Sequence, residues 1–174
     1  MMTPMTTSMA TSASADISLW RIGADTPSYQ AHDLSGKGAE TSGGRWNPVG
    51  TPMLYASASR ALACLETVVH LAKIPLPLNR YLVQISVPAA TWAAATVLDP
   101  AALVGWDAEP AGQTSLEWGR AWARSGVSML ARVPSVIVPE EFNVLVNPKH
   151  QDFAGLSALK VRRWLYDARL GRAV

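Results

Sequence analysis

Apolar and polar residues follow two different periods along this chain, so strands and helices are both predicted. Strand-like segments alternate apolar with polar residues, or form short β-branched runs bounded by proline and glycine. Pro139, Glu140 and Glu141 form a turn between the last two of these segments. The predicted strands cover residues 19–22, 52–56, 81–87, 128–138 and 143–147, with ordered structure expected to begin near residue 17.

Three helices are predicted from helical periodicity and from capping signals. The first begins after Ser57 or Ser59, either of which can cap it, and ends near Ala72. The second covers residues 115–124, and the third covers residues 155–169. Because the elements follow no regular β-α-β alternation, the sequence predicts an α+β fold in a single compact domain.

The N-terminal residues differ in composition from the rest of the chain. Residues 1–16 contain no basic residue and no apolar run, so they lack the features of a secretory signal. They are predicted to be a disordered tail before a folded domain at residues 17–174. No apolar stretch approaches the ~20 residues of a membrane-spanning helix, so a cytoplasmic protein without a membrane contact is expected.

Composition narrows the class of protein further. The 174 residues are 49% hydrophobic and 16% charged, which excludes a disordered chain. The formal net charge of +2, from 15 basic and 13 acidic residues, is too small to indicate a nucleic-acid surface. Direct DNA binding is therefore not expected. The single cysteine cannot form an internal disulfide, which agrees with a reducing compartment.

Several common active-site patterns are missing from the sequence. It contains no Walker phosphate loop, no dinucleotide-binding glycine pattern and no nucleophile elbow of a serine hydrolase. Its one cysteine and its widely separated His32, His70 and His150 offer no paired spacing for zinc ligands. No metal is therefore expected.

The strongest chemical signal is the segment Gly43–Asn47, followed by Tyr55 and Glu66. Two adjacent glycines let the backbone approach a ligand closely, and the guanidinium of Arg45 can bind a phosphate through two parallel hydrogen bonds. Tyr55 offers an aromatic face, and Glu66 lies at the border of the apolar stripe of its helix. These residue types predict a site for a phosphorylated nucleotide. Ser135 is a lone hydroxyl near a strand, where a structural and a functional role are equally compatible with the local sequence.

A wider set of motifs keeps a fixed order along the chain: Leu19–Ile22, Gly36–Ala39, Gly43–Asn47, Leu54–Ser57, Ala63–Glu66, Gly119–Trp122, Val133–Ser135 and Asn143–His150. In order and spacing they resemble the RES domain toxins, a family named for an arginine, a glutamate and a serine. The resemblance runs from about residue 18 to residue 155. One departure is Gln151, where a proline often follows the histidine.

The resemblance implies both an activity and a partner. RES toxins have an α+β fold similar to that of ADP-ribosyltransferase toxins, and members of the family consume NAD as their substrate. Some are glycohydrolases, some are phosphorylases that transfer ADP-ribose to inorganic phosphate, and some modify proteins with ADP-ribose. They are paired with an antitoxin of the Xre helix-turn-helix type, which is expected to block the active site.

The resemblance also assigns roles by position in the motifs. Arg21 and Arg45 would hold the phosphates, and Tyr55 would pack near the nicotinamide ribose. Asn147 is the weaker candidate, because an Asn-Pro pair can simply shape a turn. The expected catalytic residues are Glu66, Arg45 and Tyr55, and the expected NAD-binding residues are Arg21, Arg45, Tyr55, Ser135 and Asn147.

The chemistry of NAD cleavage suits these residue types. Breaking the nicotinamide–ribose bond creates an oxocarbenium-like ribosyl centre, which a nearby carboxylate stabilises. Nicotinamide leaves as a neutral molecule, so neither a strong general acid nor a metal is needed. The main prediction is therefore an NAD-degrading toxin of a toxin–antitoxin pair. The alternatives are a toxin that transfers ADP-ribose to a protein and a non-catalytic nucleotide-binding module.

Overall fold

A mixed sheet of seven strands runs through the part of the chain that this computed structural model describes, residues 15–71 and 77–171. The strands are β1 (Ile17–Ala24), β2 (Leu54–Ser57), β3 (Arg80–Val87), β4 (Thr96–Val97), β5 (Leu130–Pro134), β6 (Phe142–Val146) and β7 (Ser157–Arg163). The helices are α1 (Lys37–Ser42), α2 (Arg60–Val68), α3 (Ala89–Ala93) and α4 (Gln113–Ser125). Short 3₁₀ turns occupy Pro100–Ala102, Gln151–Gly155 and Ala168–Gly171.

The strand order is β4-β5-β6-β2-β1-β3-β7, in which β4 and β5 are parallel and the other neighbours are antiparallel. Side chains of β1 alternate between two packed faces. Leu19 belongs to a core cluster with Ile85 of β3, whereas Trp20 belongs to a second cluster with Ala63 of α2. Both faces of β1 are thus covered, and α2 lies across β1 and β2. The predicted α+β fold is confirmed.

All five predicted strands are present, with small differences at their ends. The fourth stops at Pro134 instead of residue 138, because the chain turns and the Ser135 backbone N–H donates to the Glu141 carbonyl at 3.0 Å. The first predicted helix is capped by Ser59, whose hydroxyl accepts from the Leu62 backbone N–H, and it ends at Val68. Its predicted end at residue 72 lies outside the described residues.

The predicted helix at residues 155–169 is wrong. Residues 157–163 form the edge strand β7, which pairs antiparallel with β3 from Ser157 opposite Ser86 to Arg163 opposite Tyr81. The open hydrogen-bonding edge of β3 recruits this segment, and that tertiary pairing outweighs its local helix propensity. Lys160 also connects the strand to the residue that follows β1, with Nζ 2.8 Å from both carboxylate oxygens of Asp25.

The irregular loop predicted at residues 23–44 contains the short helix α1. Gly36 precedes this helix with φ at 72°, and a Cβ at that position would lie 2.7 Å from the Met53 backbone nitrogen. Glycine is therefore required there both by conformation and by space. Residues 1–14 of the predicted tail and residues 172–174 lie outside the described residues.

A cluster of tryptophans fixes the turn that carries Arg45. The Trp46 ring stacks on Trp106 at 6.4 Å between centroids and contacts the edge of Trp118 at 5.4 Å. Helix α4 approaches this turn so closely that a Cβ at Gly119 would lie 1.9 Å from the Trp46 carbonyl oxygen. Packing of α4 against residue 46 therefore positions one wall of the site described below.

This close approach predicts that Gly119→Ala destabilises the fold. The added methyl group meets rigid backbone, and overpacking of this kind costs ~1–3 kcal/mol or more. Chemical denaturation of both proteins measures the difference in the free energy of unfolding. Gly155→Ala is the matched control, because its nearest contact would be Pro88 at 3.9 Å. Equal losses in the two variants would show that the contact between α4 and residue 46 is looser than described.

Candidate active site

A cavity of about 820 Å³ opens beside β1 and β2, between α1, the turn at Gly43–Asn47, α2 and the segment after β5. This volume lies within the range of small-molecule sites in proteins, ~300–1,000 Å³. Its wall is mixed, with aromatic and aliphatic groups interrupted by ionisable side chains. The ionisable residues that line it are Arg21, Tyr29, Asp33, Lys37, Arg45, Tyr55, Glu66, His70 and Glu109.

Glu66 is fixed by two side chains from elsewhere in the sequence. The Ser135 hydroxyl donates to Glu66 Oε1 at 2.8 Å, and Asn143 Nδ2 donates to the same oxygen. Asn143 is held in turn by the Ser57 hydroxyl, which donates to its Oδ1 at 2.7 Å. Oε2 has no hydrogen-bond partner among residues 15–71 and 77–171. The carboxylate is thus oriented through one oxygen and keeps the other as an acceptor.

The position of Glu66 on α2 follows from helical spacing. Leu62 and Ala63 are buried at 1% and 3% exposure and face the sheet, and Glu66 comes one turn later. It is half-buried on the cavity wall, as its place at the border of the apolar stripe predicted. Leu65 and Val69 of the same region are 38% and 50% exposed, so the buried stripe of α2 is narrow.

Ser135 holds the loop after β5 as well as Glu66. Its oxygen accepts from the backbone N–H groups of Ile137 and Val138, both at 3.1 Å, and the residue is fully buried. Pro134, Val136 and Ile137 line the cavity on either side of it. Ser135 is not itself part of the cavity wall, and its connection to the site is the hydrogen bond to Glu66.

Asn143 is a site residue that the sequence reasoning missed as such. It lies at the start of β6 and pairs directly with Ser57 across the β2–β6 ladder. An amide at the start of an otherwise apolar strand was a visible signal, but its partner depends on strand register. That register cannot be derived from either strand alone.

Arg21 lies on β1 with its guanidinium inside the fold. Nη1 donates to the Asp33 carbonyl at 3.3 Å, and the side chain lines the cavity. Burial lowers the pKa of Arg21, while the nearby Tyr29 and Asp33 act in the opposite direction. Guanidinium groups remain charged across the physiological range, so this group supplies a positive charge that the protein itself only partly satisfies.

Arg45 belongs to the Gly43–Asn47 turn, and its guanidinium is held by the segment 106–109. Nη1 donates to the backbone carbonyls of Trp106 at 3.2 Å and Ala108 at 2.7 Å. Nη2 donates to Glu109 Oε2 at 2.7 Å, which makes an ion pair at the mouth of the cavity. The guanidinium is therefore preorganised, and part of its donor capacity is already engaged.

Tyr55 braces the turn that presents Arg45. Its hydroxyl donates to Asn47 Oδ1 at 2.6 Å and accepts from the Trp46 backbone N–H at 3.1 Å. Burial raises the pKa of Tyr55, so the phenol is neutral and can donate in this way. A Cβ at Gly44 would lie 2.6 Å from the same hydroxyl, which explains the glycine. Tyr55 thus lines the cavity and also shapes it.

Asn147 is the predicted site residue that does not join this group. It is buried, with Nδ2 donating to the Ala123 carbonyl at 2.8 Å and Oδ1 accepting from the Lys149 backbone N–H at 3.0 Å. It is not part of the cavity wall. Its contacts shape the turn after β6 and connect that turn to the end of α4.

Within residues 15–71 and 77–171, no three histidine, cysteine, aspartate or glutamate side chains come together as a metal site would require. None of the helices in these same ranges has the length and apolar character needed to cross a bilayer.

Comparison with known proteins matches the RES domain to residues 18–168. A protein of Sphingobium sp. (strain YBL2), named Prs ADP-ribosylating toxin, is 59% identical over 156 residues, which is 89% of this chain and 97% of that protein. A protein of Yersinia enterocolitica named Toxin Res is 36% identical over 144 residues, 82% of this chain and 93% of its own length.

A solved structure supports the same fold. The chain matches one from the M. tuberculosis MbcT-MbcA toxin-antitoxin complex with a TM-score of 0.51 and 18% identity, covering 84% of this chain and 85% of that one. The domain match and the sequence relatives show that this chain belongs to the RES domain family.

Proposed function

We propose that this protein binds NAD in the 820 Å³ cavity and cleaves its nicotinamide–ribose bond. The observation that carries the proposal is the fixed carboxylate of Glu66, held by Ser135 and Asn143 in a cavity that also contains two arginines. The name of the Sphingobium relative, an ADP-ribosylating toxin, supports NAD as the substrate. As part of the same proposal, the protein acts in the cytoplasm.

The reaction breaks the bond between ribose C1′ and the nicotinamide ring nitrogen. The bonding electron pair leaves with nicotinamide, which becomes neutral, and positive charge develops on C1′ and the ring oxygen of the ribose. Glu66 stabilises that charge electrostatically and can accept a hydrogen bond from a ribose hydroxyl through Oε2. An acceptor then attacks C1′ and releases a proton.

The cations at the other walls of the cavity orient the substrate. Arg21, Arg45 and Lys37 all line the cavity, so a pyrophosphate finds several hydrogen-bond donors within one pocket. Charge-assisted hydrogen bonds of this kind fix a ligand in direction as well as in position. Fixing the pyrophosphate holds the scissile bond beside the carboxylate and removes much of the entropic cost of reaching the reacting geometry.

A second candidate reaction shares the first step and differs in the acceptor. The Sphingobium relative is named for ADP-ribosylation, which favours transfer of ADP-ribose to a protein over transfer to water or inorganic phosphate. Incubation with NAD labelled in the adenylate portion separates the possibilities. Free ADP-ribose indicates hydrolysis, ADP-ribose 1″-phosphate indicates phosphorolysis, and a labelled protein band indicates transfer. A non-catalytic nucleotide-binding module would release no nicotinamide at all.

Glu66→Gln is expected to lower the rate of nicotinamide release by ~10²–10³, the usual loss when one preorganised electrostatic group is removed. Glutamine keeps the size of the side chain and an acceptor for Ser135, so the fold should remain. Nicotinamide release measured by chromatography is the readout, with thermal unfolding as the check of folding. Glu117→Gln, which removes an exposed charge on α4, is the matched control. A folded Glu66→Gln variant with wild-type turnover would make Glu66 structural and end this mechanism.

Arg45→Lys is expected to raise the KM for NAD about tenfold, because an ammonium group cannot form the forked contacts of a guanidinium. Steady-state kinetics of nicotinamide release measures the change. Arg124→Lys on the exposed end of α4 is the control, since it makes the same substitution away from the cavity. If Arg45→Lys and Arg124→Lys have the same KM for NAD, Arg45 does not contribute to NAD binding.

We also propose that an Xre-type helix-turn-helix antitoxin restrains the protein by covering the cavity. The fold match to a chain of a toxin–antitoxin complex supports an antitoxin partner, and the Xre type is part of the proposal. A cavity containing Arg21 and Arg45 suits an acidic segment of that partner with more than one carboxylate, which can reach both cations.

Expression of this protein alone in a bacterium is expected to stop growth and deplete cellular NAD, whereas the Glu66→Gln variant should do neither. Co-expression of the helix-turn-helix protein encoded beside it should restore both growth and NAD. Growth curves and an enzymatic NAD assay on the same cultures give the result. Normal growth with unchanged NAD during wild-type expression would reject the toxin role.

A further inference from the structure

The ion pair between Arg45 and Glu109 has no part in the reaction described above. Both residues line the cavity, but their side chains differ in environment, with 18% of the Arg45 side chain exposed and 77% of the Glu109 side chain. Arg45 is thus a largely enclosed cation whose charge partner lies almost in solvent. An exposed carboxylate can leave such a contact with little loss, because water replaces its hydrogen bonds.

The two terminal nitrogens of Arg45 are held in different ways. Nη1 donates only to backbone carbonyls, those of Trp106 and Ala108, whereas Nη2 donates to the Glu109 side chain. The segment 106–109 also contacts the Gly43–Asn47 turn through the stacked rings of Trp46 and Trp106. Arg45 would therefore keep its place and its direction if Glu109 moved away.

We propose that Glu109 is an internal competitor for the anionic ligand of this cavity. Its carboxylate occupies the Nη2 donor of Arg45 that a diphosphate group would use, and ligand binding displaces it into solvent. This inference rests on the proposed function in one respect, namely that the ligand carries a diphosphate. No covalent step is involved, since one acceptor simply replaces another on the same donor.

The competition selects ligands by charge. For a singly charged carboxylate or phosphate diester, the free energy gained by binding Arg45 is about equal to the free energy lost when Glu109 is displaced, because one anion replaces another. A diphosphate carries a second charge that reaches another cation of the wall, such as Arg21 or Lys37, and so gains a net advantage. Glu109 therefore lowers the affinity for every anion while favouring those with two adjacent phosphates.

Glu109→Gln and Glu109→Ala test this role, because competition and simple support of Arg45 predict opposite changes in the KM for NAD. Loss of the competitor should lower the KM for NAD by ~2–5-fold, the scale set by a partly exposed ion pair, and the gain should lie in KM and not in kcat. A carboxylate that merely braced the segment would have the opposite effect, because its loss would loosen Arg45 and raise KM. Asp107→Asn is the matched control, as it removes the same charge from an exposed position of the same segment that does not line the cavity.

A binding measurement with inorganic pyrophosphate keeps this inference separate from NAD cleavage. Calorimetric titration of the wild-type protein and the three variants requires no turnover, so it remains informative if the protein consumes no NAD. Tighter pyrophosphate binding by both Glu109 variants, with Asp107→Asn unchanged, supports competition at Arg45. Unchanged or weaker binding in the Glu109 variants, an equal gain in Asp107→Asn, or no pyrophosphate binding by any of the proteins would each overturn it.

Discussion

The hydrogen bond from Asn143 to Glu66 is the contact on which the site depends. It joins α2 to β6, and the Ser57 hydroxyl that holds Asn143 brings β2 into the same arrangement. Ser135 then adds the loop after β5 from the other side of the carboxylate. Three separate pieces of chain thus meet at one oxygen atom, and β2 is connected to them through Asn143, so the geometry of the carboxylate depends on how β2, β5 and β6 are paired.

The turn at Gly43–Asn47 is likewise held by contacts from several parts of the chain. The Tyr55 hydroxyl accepts a hydrogen bond from the Trp46 backbone N–H of this turn. Asn47 Nδ2 donates to the Ala39 and Thr51 carbonyls at 2.8 and 2.9 Å, which connects the turn to α1 and to the chain before β2. The close contact of Gly119 with residue 46 leaves no space for the turn to move towards α4. A rigid turn keeps the Arg45 guanidinium directed at the cavity before any ligand arrives, so little ordering entropy is lost on binding.

The sequence predicted those features that depend on local pattern. Five strands and two helices follow from periodicity and capping, and Glu66, Arg45 and Tyr55 were expected in one site from their residue types and family motifs. Features that depend on pairing across the sheet were not accessible. The role of Asn143 depends on the register of β2 and β6, which places it opposite Ser57. Most positions of the edge strand β7 are exposed, so its sequence lacks the alternation of buried and exposed residues that identifies a strand, and it was predicted as a helix. Asn147 was expected in the site because its motif is shared, although its side chain serves a turn.

The edge position of β7 has a consequence for the behaviour of the protein at high concentration. An unpaired strand edge can recruit the same edge of another molecule, and Leu159 at 62% exposure would favour that contact. Arg162 and Arg163 occupy two of the seven positions of this strand, and its third basic residue, Lys160, is paired with Asp25. Two such edges brought together would place like charges opposite one another, which disfavours aggregation through the sheet while leaving the cavity on the far side of β1 unaffected.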